Sequence, residues 1–237
     1  MLKTLFHLSV FVINASFLCY DQMYLELPMP HKSMENLPFK SRSMFLTIWC
    51  LVLQTIYHLV SFLNDIAGSN ARAPKKPPVI RKIKDTLFSV AFTAAIYVSL
   101  AFWGIYAVDR DLIFPDSIAK IYTPLFNHIM HTTVSVFILI ELLTSHINYP
   151  SRKVGLSALF SFKLLYLMWF FIIYVKTGAW PYPIFDKLNW PARFGFIAVS
   201  LYIAFIFYVI GEKINKVVSH SKVTYTNGTT KSKSKKS

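Results

Sequence analysis

Charge is scarce in this chain and glycine scarcer: of 237 residues 15% are Asp, Glu, Lys or Arg and only 7 are Gly, while 54% are hydrophobic and 16% aromatic. A soluble domain carries roughly 25% charged residues, so what is present here would leave much of a globule's surface apolar. The mean hydropathy of +0.45 says the same. Cysteine is nearly absent. Cys19 and Cys50 allow at most one disulfide and no cysteine-based metal centre, and small apolar residues within helices need no further role. A G-x-S-x-G elbow is missing, since Gly155-Leu156-Ser157-Ala158-Leu159 lacks the last glycine. No Walker loop and no dinucleotide fingerprint occur either. Serine-hydrolase folds and nucleotide chemistry are therefore unsupported.

What is there is a set of long apolar runs. Crossing the hydrocarbon takes about 20 mostly apolar residues as a helix, and six stretches qualify, near 2–20, 44–65, 87–108, 124–147, 154–175 and 194–212. The expected fold is all-α, a polytopic membrane helical bundle in one domain over residues 1–215, followed by a basic tail, 216–237, too polar to pack and expected to be disordered. The first run has a basic start (Lys3) and a short apolar core, as a secretory signal would, but Asn14-Ala15-Ser16 matches a cleavage site poorly and the run reads as an uncleaved span. Pro28, Pro30 and Pro38 break the first connection, and Ala73 to Pro78 the second. Thr123-Pro124 reads as an N-cap with proline at the first helical position.

The net charge of +14 is explained by orientation. The basic residues gather between the apolar runs and form no stripe interleaved with stacking aromatics, which excludes nucleic-acid binding. With the N-terminus cytoplasmic, sixteen of the 25 Lys and Arg fall on the side of the termini, eight on the other, and Lys163 inside a span. Both termini are thus expected in the cytoplasm. Lys233-Ser234-Lys235-Lys236-Ser237 fits a dilysine address for the endoplasmic reticulum, and equally a basic tail drawn to anionic lipid, so that membrane and the plasma membrane are the expected locations.

Polar side chains inside a span are costly and need a partner or a function. On the second run Thr47, Gln54, His58 and Asp65 lie within about 20° of one line at 100° per residue, a stripe facing the bundle. On the fourth, Asn127, His128, His131 and Ser135 share a face. If these helices begin near Ser41 and Thr123, Thr47 and His131 lie about 9 and 12 Å in, both in the outer leaflet. A hydroxyl and an imidazole at one depth are the minimum for a nucleophile and its general base, provided the helices adjoin. Plainer readings stand beside this one. Intramembrane Thr commonly bonds its own i−4 carbonyl, and His131 can serve as a helix–helix hydrogen-bond partner. His128-x-x-His131 lacks the further ligands a metal needs, and neither metal nor cofactor is expected. Lys163 reads as the partner of Glu141 in a structural ion pair. His146 lies too near the cytoplasmic end to join the site.

Phe102-Trp103, Asp109-Arg110-Asp111-Leu112-Ile113-Phe114-Pro115, Asn127-His128-Ile129-Met130-His131-Thr132, Tyr149-Pro150-Ser151-Arg152, Gly178-Ala179-Trp180-Pro181-Tyr182-Pro183 and Gly211-Glu212-Lys213 together resemble the androgen-induced gene family over about residues 44–215. The resemblance implies a multi-pass membrane hydrolase that cleaves fatty acid esters of hydroxy fatty acids with a threonine and a histidine. By position these are Thr47, after Phe45-Leu46, and the second histidine of the pair, His131. One departure is visible: where the family often has Asp or Asn three residues after the threonine, this chain has Cys50. Asn127 and His128 are oxyanion candidates by face alone. The competing class is a non-enzymatic membrane protein, a transporter or regulatory scaffold, although no pair of Gly/Pro-interrupted spans in matching halves supports transport.

Overall fold

The six apolar runs become six long helices in a computed structural model that describes residues 1–29, 32–71 and 76–234, with side chains as far as Ser219; among these residues there is no strand. The helices long and apolar enough to span are α1 (Leu2–Tyr24), α2 (Leu46–Ala67), α3 (Val79–Val108), the fourth run Pro124–Thr144, α7 (Arg152–Thr177) and α9 (Trp190–Ser234), the last apolar as far as Ser219. Two short helices sit in the connections, α4 (Asp116–Ala119) and α8 (Ile184–Lys187). The fourth run is itself divided into α5 (Pro124–His128), a π-helical turn Ile129–Thr133 and α6 (Val134–Thr144).

The boundaries follow local chemistry. Thr123 caps the N–H of Phe126, with Pro124 at the first helical position, as its sequence reads. The C-terminal stop of α7 is Gly178, at a φ of 72° that side chains resist. Helix α3 starts eight residues before its apolar run because the buried charges in that extra length are paired: Arg81 Nε donates to Asp85 at 2.8 Å and Lys84 lies 3.4 Å from Glu141. Residues 216–234, expected to be disordered, continue α9 as helical backbone; the last three residues of the dilysine run, like Ala73 to Lys75 of the second connection, lie outside the described residues.

Helix α3 is the axis of the bundle. It packs on α2, α6, α7 and α9, and its span is the most buried of the six. Ala91, Ala94 and Ala95 lie wholly inside, small enough to let neighbouring backbones approach. Helix α1 lies along α2. Phe17 belongs to the main core, and His7, Asn14 and Asp21 are buried.

Two buried polar knots tie the ends together. At one, the Asp21 carboxylate accepts from Arg42 Nε at 3.0 Å and from the Tyr122 hydroxyl at 2.6 Å, while Arg42 also donates to the carbonyls of Leu25 and Lys40. At the other, Glu141 bonds His7 at 2.9 Å, the Tyr57 hydroxyl at 2.8 Å and the Ser145 hydroxyl at 2.9 Å, and His7 reaches on to Asp65 at 2.8 Å. The pairing of Glu141 with Lys163 read from sequence is corrected here. Lys84, brought in by the extended start of α3, takes that place. The stripe on α2 does face inward: Gln54 donates to the Ala91 carbonyl, His58 packs against Phe6, His7 and Tyr57, and Asp65 joins the second knot.

Candidate functional site

The segment that leads into α2 is built as a support. Phe39, Lys40 and Ser41 all have positive φ, at 55°, 46° and 67°, a costly reversal for side-chain-bearing residues, and Arg42 in the Asp21 knot holds it. The Ser41 hydroxyl donates to the Met34 carbonyl, and Trp49 and Trp169 both donate their indole N–H to the Ser43 carbonyl, at 2.8 and 3.0 Å. Tyr166 donates to the Met44 carbonyl at 2.9 Å. Phe45, at the N-cap of α2, makes no side-chain cap bond. The orphan N–H of Leu46 is instead taken by the Tyr182 hydroxyl at 2.8 Å, and burial pushes that phenol up to about 12. Thr47 follows directly, its backbone fixed from both sides.

His131 stands in the middle of the π-helical turn. Such a turn inserts a residue into the helical ladder and re-aims what it carries. Nε2 of His131 lies 3.2 Å from Thr47 Oγ1, and Nδ1 lies 2.8 Å from Asn127 Oδ1 and 3.0 Å from the Asn127 carbonyl. Phe102 covers one face of the imidazole, ring centroids 3.5 Å apart and nearly parallel. Both groups behind Nδ1 are acceptors, so the proton of a neutral ring belongs there. Nε2 is left with a lone pair facing the threonine hydroxyl, the tautomer a general base requires.

Thr47 and His131 meet, but not from the helix positions expected. Helix α2 begins at Leu46, so Thr47 stands in its first turn, while His131 is seven residues, about 10 Å, into its span. The turn Arg42–Met44 and the extended Phe45 occupy the levels assigned to helix. Asn127 takes the place behind the base rather than in front of the nucleophile. His128 does not converge on the site: its side chain is exposed, hydrogen-bonded to Thr132 at 3.0 Å and set beside Trp103. Neighbouring helical residues diverge by about 100°, which separates it from the face carrying Asn127 and His131. Ser135 bonds the Ala95 carbonyl and the Ser99 hydroxyl, and Cys50 is packed in the core as a free thiol.

Thr47 and His131 open on one wall of a chamber of about 160 Å³ bordered by α2, α3, α7 and α9, with Ile113, Phe114 and Tyr122 also in its lining. Most of its lining is apolar, with Tyr97, Tyr166, Tyr182 and Ser200 supplying hydroxyls, and it includes one lysine, Lys163. Sequence reasoning missed Lys163 here by assigning it elsewhere. It also missed Phe102, although Phe102-Trp103 was among the motifs, because nothing in a single sequence says which ring lies against which. The Tyr166 and Tyr182 clamps carried no signal beyond a conspicuous Trp-Pro-Tyr-Pro run.

FAR-17a/AIG1-like protein is the family that matches the sequence, over residues 2–216. The chain belongs to this family. Among curated relatives, the androgen-induced gene 1 protein of Homo sapiens is 34% identical over 181 residues, covering 73% of this chain and 76% of the relative. The androgen-dependent TFPI-regulating protein of Rattus norvegicus is 31% identical over 216 residues, covering 91% and 94%. A UPF0641 membrane protein of Schizosaccharomyces pombe is 26% identical over 75% and 76%. No solved structure matches the chain. The stretch shared with the FAR-17a/AIG1-like family takes in Thr47, Asn127, His131 and Lys163, and six apolar helices make this member a multi-pass membrane protein.

Proposed function

We propose that this protein is a membrane-embedded ester hydrolase whose nucleophile is Thr47 and whose general base is His131, acting on fatty acid esters of hydroxy fatty acids. The observation that carries the reading is the 3.2 Å approach of Thr47 Oγ1 to an imidazole nitrogen that the Asn127 acceptors leave unprotonated. In the first half-reaction His131 Nε2 takes the hydroxyl proton as Oγ attacks the ester carbonyl. The tetrahedral intermediate then expels the hydroxy acid as an alcohol, which leaves with that proton. In the second, His131 draws a proton from water, the resulting hydroxide attacks the acyl-threonine, and a fatty acid departs as the proton returns to Thr47. The sum is ester plus water to acid plus alcohol. The base is backed by an amide and a carbonyl, so the imidazolium formed in each half gains less stabilisation than a carboxylate would give, and turnover is expected to be modest. The apolar chamber suits an acyl chain arriving from the bilayer.

In orientation, both termini are proposed to face the cytoplasm, which puts the Thr47 end of the bundle in the opposite leaflet, at the endoplasmic reticulum or plasma membrane. The sequon Asn227-Gly228-Thr229 then stays unmodified; a glycosidase-sensitive mass shift there would reverse the assignment.

The test is hydrolysis of a branched fatty acid ester by membranes carrying equal amounts of wild type, Thr47→Ala, Thr47→Ser or His131→Ala. Thr47→Ala and His131→Ala should each lose on the order of 10²-fold or more, and Thr47→Ser should remain active. Full activity in Thr47→Ala would end the reading. The regulatory function in the name of the relatives favours a second, non-enzymatic reading, a scaffold acting through partners; under it Thr47→Ala keeps the cellular effect while hydrolysis is absent.

A further inference from the structure

Lys163 poses a problem that the hydrolase reading does not use. It sits in the middle of α7, only 5% exposed as a residue, and lines the same chamber as Thr47 and His131. Every other buried cation of the described bundle has an acid beside it: Arg42 has Asp21, Arg81 has Asp85, Lys84 has Glu141. Among the described residues no carboxylate lies within ion-pair distance of Lys163, and its ammonium makes no hydrogen bond. Its partner is the face of the Tyr97 ring, with Nζ 3.6 Å from the centroid. A cation–π contact offsets part of the cost of burial, yet an ammonium in apolar surroundings without a counter-charge remains expensive.

We infer that Lys163 is the residue that holds the free carboxylate which a fatty acid ester of a hydroxy fatty acid carries, the amine pairing as an ammonium with the acid end of the lipid. The inference deepens the hydrolase reading and rests on it for the ester. Three observations support a carboxylate. The chamber offers one lysine and no arginine, which matches a monoanion; a phosphate headgroup calls for several donors, usually with Arg among them. Most of the rest of the wall is apolar and suits an alkyl chain. Beside the lysine, the hydroxyls of Tyr97 and Ser200 lie 2.6 Å apart: the pair has two protons and uses one between them, leaving one for a second carboxylate oxygen. Register also brings the groups to one level. Tyr166 bonds the Met44 carbonyl; Lys163 is three residues from Tyr166 towards the membrane interior, and Thr47 three residues from Met44 in the same sense, so they enter the chamber within about one turn, ~5 Å, of each other along the bundle. An ester whose alcohol half ends in a carboxylate would thus be held at its acid end by Lys163 while its carbonyl meets Thr47.

The experiment compares a branched fatty acid ester bearing a free carboxylate with its methyl ester, using the full chain in lipid nanodiscs. In wild type, kcat/KM should favour the free acid, and Lys163→Met should cut the ratio of the two kcat/KM values by about tenfold or more, which is 1.4 kcal/mol of discrimination; Lys163→Arg should restore it. An unchanged ratio, with both substrates losing equally, would overturn the inference and make Lys163 an oxyanion donor or a structural residue. A second measurement needs neither mutant nor hydrolysis: radiolabelled oleate bound to wild type should be displaced by unlabelled oleate and not by methyl oleate, and equal displacement by both would overturn the inference. Oleate binding that is retained in Thr47→Ala, lost in Lys163→Met, and unaccompanied by cleavage of any ester would end the hydrolase reading and leave the acid site standing.

Discussion

Asn127 decides what His131 can do. Two acceptors from one residue face Nδ1, and without them the ring would be free to flip or to carry its proton on the nitrogen facing Thr47. Asn127→Ala removes the side-chain acceptor but keeps the carbonyl, so kcat should fall by about tenfold to 10²-fold with KM little changed, a split that steady-state kinetics on a purified sample would reveal. A loss confined to KM would argue for a substrate contact instead. Thr47 and His131 were legible in the sequence because polar residues are rare in spans and each had to be accounted for. The misplacement of Lys163 has the same origin: Glu141 was a plausible partner by depth, but depth along a helix says nothing about azimuth, and the bundle sets Glu141 among His7, Tyr57 and Lys84.

Elements carry the precision of the site. Thr47 is aimed by the N-terminus of α2, an end without a cap of its own, whose Leu46 N–H is satisfied by a tyrosine more than 130 residues away. Tyr182→Phe leaves that buried N–H without a partner, a cost of about 1–3 kcal/mol, expected as a lower melting temperature in detergent together with reduced activity; the same change at the exposed Tyr202 should alter neither. The π-helical turn has a similar part on the facing element. Six spans could be counted from hydropathy because the apolar runs are long and proline marks their gaps. The turn could not, since a one-residue insertion leaves composition and period almost untouched; it shows only as the break between α5 and α6. The early start of α3 was hidden for the opposite reason, as its charges look like a loop until their partners are known.

Across the whole molecule, the knot at Glu141 joins α1, α2, α3 and α6 at the end away from Thr47. Glu141→Ala strands Lys84 in an apolar interior and leaves His7 with Asp65 alone, a loss of about 3–5 kcal/mol, read as a fall in melting temperature and in the yield of folded protein. Activity per folded molecule should stay near wild type, because Glu141 lies outside the chamber lining; a proportional loss of specific activity would mean that the two ends are coupled. The bundle as a class was readable from composition, whereas which helix lies beside which was not, for six spans of similar hydropathy pack in many orders. The Glu141 knot also bears on how the protein is made. Helices leave the ribosome in order, and Lys84 enters the bilayer long before Glu141 exists to receive it, while His7 has only Asp65 until then. The first three spans are thus a provisional assembly in which Lys84 still lacks its carboxylate, and a nascent chain halted after α3 should be recognised and degraded, while one extended past residue 141 persists.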